Sequence, residues 1–177
     1  MLALLAGLLS GLFLWLRPGP APPRPEGPAI AVLAPTITRF DEGGRRLWEL
    51  EAEVITLERE ANRAVAESVR LRFFRDGEGH ATGQEEVALN AMATRLSLYG
   101  GGEMELEGGI EARDDRGLEF RTERARWDPQ RGLLSGDLEV EIMRGEERLL
   151  GRGFEYSPGE GRLIVHEAEL ILVPGGG

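Results

Sequence analysis

The sequence predicts an all-β domain whose antiparallel strands form two walls, or a V-shaped half-barrel, around a shared apolar interior. Three observations predict it. Apolar and charged residues alternate with period two, most cleanly where Trp48, Leu50, Ala52 and Val54 oppose Glu49, Glu51 and Glu53; this is the pattern of a strand with one wet face. Glycine-bearing turns recur about every 8 to 15 residues, the spacing of a sandwich or barrel. Between Gly109 and Val165 one pattern is laid down twice, with Trp127 in WDPQRG and Tyr156 in YSPGEG at matching places 29 residues apart. That spacing fits two strands and their turns, so hairpins stack and each buries its apolar face on the next.

At 177 residues the chain holds one domain, or one domain with an appendage. Its 41% hydrophobic and 29% charged content permits a lean core. The absence of cysteine excludes disulfides, a thiolate nucleophile and cysteine-based metal sites. A formal charge of −10 offers no basic stripe for nucleic acid, and it keeps the surface off anionic headgroups. Membrane association therefore rests on the first residues.

Residues 1–17 form the predicted anchor. Met1 to Leu16 carry no charge and Arg17 closes the run; as a helix it spans about 24 Å, slightly less than a hydrocarbon core of about 30 Å. The flanks, ending Leu14-Trp15-Leu16-Arg17-Pro18, lack the basic start and small-residue site of a cleaved signal. A single-pass transmembrane helix is the favoured reading, and a cleaved signal segment is the alternative. Residues 18–29 read as a proline-rich linker, an extended tether of about 35 Å.

The domain is expected over 30–174. Ile30, Val32 and Ile37 bracket Pro35, and Phe40 leads into a turn at Asp41-Glu42-Gly43-Gly44. After the Trp48 strand, Val69, Leu71 and Phe73 oppose Arg70 and Arg72, before a turn at Asp76-Gly77-Glu78-Gly79. Residues 58–68 and 85–98 have helix-forming composition, with strand the favoured reading because alternating segments flank both. Met104 and Leu106 then oppose Glu103, Glu105 and Glu107, and Leu118 and Phe120 oppose Glu119 and Arg121. Leu138, Val140 and Ile142 oppose Glu139, Glu141 and Met143. Leu163, Val165 and a segment through Leu170 and Leu172 close the domain, and residues 175–177 form a disordered tail.

Catalytic constellations are missing. His80 and His166, the only histidines, are too scattered for a metal site or a base. No nucleophile elbow, zinc helix or phosphate loop occurs, and the carboxylate pairs at i and i+2 lie on wet faces. No enzyme and no cofactor are expected. Gly151 and Gly153 stand inside the strand LLGRGFEY, where glycine costs about 0.5–1 kcal/mol. Either they mark a bulge or close packing, or they leave room for a guest.

The segments GLEFRTERARWDPQRGLLSGDLEVEI and LLGRGFEY, behind an apolar start and a spacer, resemble the LptC family of lipopolysaccharide export. The matching motif residues are Thr122, Gly136, Gly151, Gly153, Phe154 and Tyr156, and Leu47 to Leu57 resembles the family's opening strand. The resemblance implies a twisted β-jellyroll with an N-terminal transmembrane helix, held at the inner membrane with its domain in the periplasm. It implies a non-catalytic carrier that takes lipopolysaccharide from an inner-membrane ABC transporter (LptB2FG-like) and hands it to an LptA-like bridge. Its open groove would be lined by Trp48, Leu50, Val69, Leu71, Met104, Leu106, Phe120, Val140 and Phe154. The transporter would meet Ile30 to Phe40 and the bridge Leu163 to Val173. The soluble LptA type shares the fold and is the alternative, as is a tethered structural module that binds no lipid.

Overall fold

In a computed structural model, residues 30–58, 61–76 and 85–171 are described. The expected anchor, linker, His80 turn and terminal tail lie outside these residues. The described residues contain twelve strands and no helix. They are β1 (Ile30–Leu33), β2 (Thr36–Phe40), β3 (Arg46–Glu51), β4 (Val54–Glu58), β5 (Arg63–Asp76) and β6 (Glu85–Tyr99), followed by β7 (Met104–Asp114), β8 (Glu119–Asp128), β9 (Leu133–Arg144), β10 (Glu147–Ser157), β11 (Arg162–Val165) and β12 (Glu169–Ile171). Every pairing is antiparallel. Of the two segments of helix-forming composition, 85–98 lies within β6, while in 58–68 Glu58 ends β4, residues 61–62 form a turn and residues 63–68 open β5. Where they are strand, the flanking alternation outweighs local propensity.

The strands are longer than the turn spacing suggests because most cross a bend. β4 pairs with residues 63–67 of β5, and β3 with residues 70–73. At the other end β11 pairs with residues 154–157 of β10, and β12 with residues 148–150. Each long strand thus serves two walls. Wall I holds β1, β4 and β11; wall II holds β2, β3 and β12. Register shifts mark the crossing in β6, β7, β8 and β10, since an added residue bends a strand. In β6 the shift lies between Met92 and Arg95.

Left-handed backbone lines this crease: Ala34, Ser68, Gly108, Gly109, Gly153 and Glu167 all have positive φ. Hydroxyls satisfy carbonyls that the bend frees from the ladder. Thr94 Oγ1 donates to Gly108 O at 2.6 Å and Thr122 Oγ1 to Glu139 O at 2.8 Å.

The wet faces carry complementary charges. All 21 basic residues are arginine. Glu49-Leu50-Glu51 lies opposite Arg72-Leu71-Arg70, and Glu105-Leu106-Glu107 opposite Arg126-Ala125-Arg124. Ion pairs such as Arg72–Glu49 at 2.6 Å and Arg121–Glu111 at 3.3 Å follow. Exposed cross-strand pairs contribute only about 0.2–1 kcal/mol each. Their value lies in register, because a slip of one residue would also turn the apolar face to water.

Candidate functional site between the two walls

Alternation sends the apolar residues of both walls into one continuous cluster. Wall II contributes Trp48, Leu50, Val69, Leu71, Phe120 and Val140; wall I contributes Met104, Leu106 and Phe154. All nine expected groove residues therefore face the common interior, and none is more than 4% exposed. The expected open groove is closed along these residues. Aromatic rings close it from wall to wall: Phe73 meets Trp127 at 4.5 Å, and Phe120 meets Phe154 at 5.3 Å and Tyr156 at 5.7 Å between centroids. Phe73 is a filler that sequence reasoning left outside the groove. Trp127 and Tyr156, the repeat markers, are its counterparts on wall I. Their place before a turn puts both rings at the lip of that wall; Leu134 lies opposite each in the ladder.

Close packing accounts for the motif glycines. A Cβ on Gly136 would stand 2.5 Å from Phe154 Cε1 and 2.8 Å from the Arg124 carbonyl. One on Gly151 would collide with the Val165 side chain, so the space there is already taken and no guest cavity results. Gly153, at φ 82°, forms the bulge where β10 crosses the crease. Thr122 caps a freed carbonyl, as described above.

Tyr156 is fully buried, and its hydroxyl points at Asp114 Oδ2, 3.5 Å away. Burial pushes the phenol's pKa well up, and the Asp114 charge adds to the shift. Asp114 Oδ1 accepts from the backbone N–H groups of Arg116 and Leu118, at 2.9 and 2.8 Å. At the opposite edge Glu85 accepts from Arg46 N at 2.7 Å and from Arg46 Nε at 2.5 Å. These bonds, the backbone one foremost, hold its carboxyl below the ordinary range. The indole Nε1 of Trp127 is buried and has no acceptor among the described residues.

One part of the interior is open. Between β2 and the lip of wall I lies a cleft of about 470 Å³ with Ile37, Trp48, Leu57, Ala64 and Leu98 in its lining and Arg39 and Arg63 among its polar residues. That volume lies within the range of ligand pockets, which are mostly apolar with few polar groups. The same end carries most of the exposed large hydrophobics: Ile30, Val32, Leu33, Phe40, Leu47 and Leu57, with Leu33 80% exposed. A larger hollow of about 800 Å³ includes Glu111, Glu123, Glu139, Glu141, Glu167 and Glu169. Its charge suits it poorly to hydrocarbon. Among the described residues, no three His, Cys, Asp or Glu side chains are arranged to hold a metal.

The family model described as "Lipopolysaccharide-assembly, LptC-related" matches residues 1–167. Among solved structures, the chain is similar to LptH of Pseudomonas aeruginosa, described as the LptA homologous periplasmic component of the conserved lipopolysaccharide transport device. The TM-score is 0.52 at 8% identity, over 72% of this chain and 95% of that one. At this identity the likeness speaks for the fold alone. A sequence search of curated proteins finds no match.

Proposed function

Because the chain belongs to the LptC-related family of lipopolysaccharide assembly, we propose that it is a non-catalytic carrier in lipopolysaccharide export. It receives lipid from an inner-membrane ABC transporter and passes the acyl chains between its walls to a periplasmic LptA-like bridge. Residues 1–17 hold it at the inner membrane, 18–29 form the tether, and the domain stands in the periplasm. The nine interior residues from Trp48 to Phe154 form the path, with the motif residues Thr122, Gly136, Gly151, Gly153 and Tyr156 shaping its walls. The strands β1 and β2 face the transporter, and β11 and β12 face the bridge.

The observation that carries this reading is the apolar cleft at the β1–β2 end, which runs into the buried cluster. Each buried CH₂ gains about 0.8 kcal/mol, so a few methylenes suffice to hold a chain there transiently. Among the described residues, β1 and β2 at one end and β11 and β12 at the other each pair on one side only, and such an edge is the means by which a sheet adds a partner strand. A photoreactive phenylalanine at Leu98, exposed to lipopolysaccharide, should give a covalent lipid adduct; one at Glu111 on the outer face should not. Equal yields at the two positions would remove the case for an internal path.

The packed interior favours a second reading, a membrane-tethered structural module that carries no lipid. It predicts no adduct at Leu98. The mass of the mature N-terminus separates the anchored form from a soluble bridge protein.

A further inference from the structure

The mouth between the walls is open at the β2 end and closed farther along. Turns of wall II at 41–45, 114–118 and 145–146 face turns of wall I at 61–62, 100–103, 129–132 and 158–161. At one place the two lips touch. Arg116 Nη2 donates to the Glu160 carbonyl at 3.2 Å, and the Tyr156 hydroxyl reaches Asp114. The 114–118 turn is itself fixed to wall II: Asp115 pairs with Arg75, and Asp115 N donates to Ala88 O at 3.4 Å. Pro158, at the tip of the β10–β11 hairpin, is buried.

We propose that the β7–β8 turn and the β10–β11 tip form a latch that gates the interior between the open cleft and the C-terminal edge. The proposal rests on the lipid-carrier reading above. Two observations indicate that the closed state has an open alternative. The crease opposite the mouth holds three non-glycine residues, Ala34, Ser68 and Glu167, in left-handed backbone, a conformation that concentrates at switch regions. Among the described residues, the closed interior also offers the Trp127 indole N–H no acceptor, a deficit that parting the lips would relieve. Lipid in the cleft supplies the differential interaction that such a two-state element needs, because acyl chains replace the Phe73–Trp127 and Phe120–Tyr156 contacts only when the lips part.

The natural chain has no cysteine, so a pair introduced as Arg116→Cys and Glu160→Cys can be joined selectively by a reducible bis-methanethiosulfonate linker. In the full chain, photoreactive phenylalanine at Ile37 reports on the cleft, and at Leu149 on the C-terminal half. With lipopolysaccharide as the probe, the linked protein should keep the Ile37 adduct and lose the Leu149 adduct, and reduction should restore it. A Leu149 adduct unaffected by the linker would overturn the latch while leaving the carrier reading intact. No adduct at either position before linking would overturn both. As a second variant, Arg116→Ala with Tyr156→Phe should raise the Leu149 yield, with circular dichroism reporting the fold; an unchanged yield in a folded protein would also overturn the gate.

Discussion

The ring of Phe154 occupies the space that a side chain at Gly136 would fill, directly across the β9–β10 ladder. The two residues act as one packing unit: the missing Cβ admits the ring, and the ring covers the bare backbone. Gly136→Ala should destabilise the domain by about 1–3 kcal/mol through overpacking, and Phe154→Ala by about 3–5 kcal/mol through the cavity left. The double variant should cost less than the sum, because the new methyl enters the vacated space. Urea unfolding of the four proteins measures the coupling, and strict additivity would contradict the pairing.

Thr122 presents a separable test at the crease. Thr122→Val keeps the shape and removes the donor to Glu139 O, leaving that carbonyl short of a partner. The expected loss is about 1–3 kcal/mol, with Thr122→Ser recovering much of it. Equal stability of the valine and threonine proteins would show that the hydroxyl is idle.

Glu85 makes stability depend on acidity in one direction. Its folded pKa lies below the ordinary 4.5 because Arg46 bonds its charged form. The contribution is present above the unfolded value and is lost as pH falls through the folded one. Thermal unfolding should therefore show Glu85→Gln less stable than the natural chain at neutral pH, the difference shrinking as the solution is acidified below 4.5. A gap that widens in acid would reverse the sign and refute the assignment.

The charged triplets predict a swap that restores itself. Glu49→Arg alone sets like charge against Arg72, and should cost at most about 1 kcal/mol; adding Arg72→Glu should recover it. The recovery should fade in high salt, since these side chains are partly exposed. A denaturation series at two salt concentrations checks both statements.

Edge strands should separate the two partners. Val32→Asp on β1 should weaken association with the transporter and spare the bridge, and Ile164→Asp on β11 should do the opposite. Both side chains are exposed, so folding should be unaffected. Pull-down of each partner by both variants is the measurement.

Much of this was readable from the residues. The period-two alternation pointed eight of the nine expected interior residues to the face that is buried, because one wet face forces a clean pattern; Phe154, the ninth, came from the resemblance. The strand character of 63–68 and 85–98 also followed from their flanks. The bend was not readable: a bulge shifts the phase yet leaves normal alternation on either side, so one long bent strand looks like two short ones. Closure of the interior was equally hidden. Alternation says which way Phe73 and Trp127 point, but not that they meet across the gap. One signal was available and unused: the triplets Glu49-Leu50-Glu51 and Arg70-Leu71-Arg72 are complementary, and so are Glu105-Leu106-Glu107 and Arg124-Ala125-Arg126. Together they spell out which strands pair and in what register.

Splitting each end of the sheet into two short strands, β1 with β2 and β11 with β12, restricts who can join it. A flat ribbon can satisfy only half of such a terminus. A neighbour folded to the same angle can dock on both halves at once, so that its own hollow lines up with this one. Under the carrier function proposed above, shape at the junction would favour a like-built successor without any sequence-specific contact.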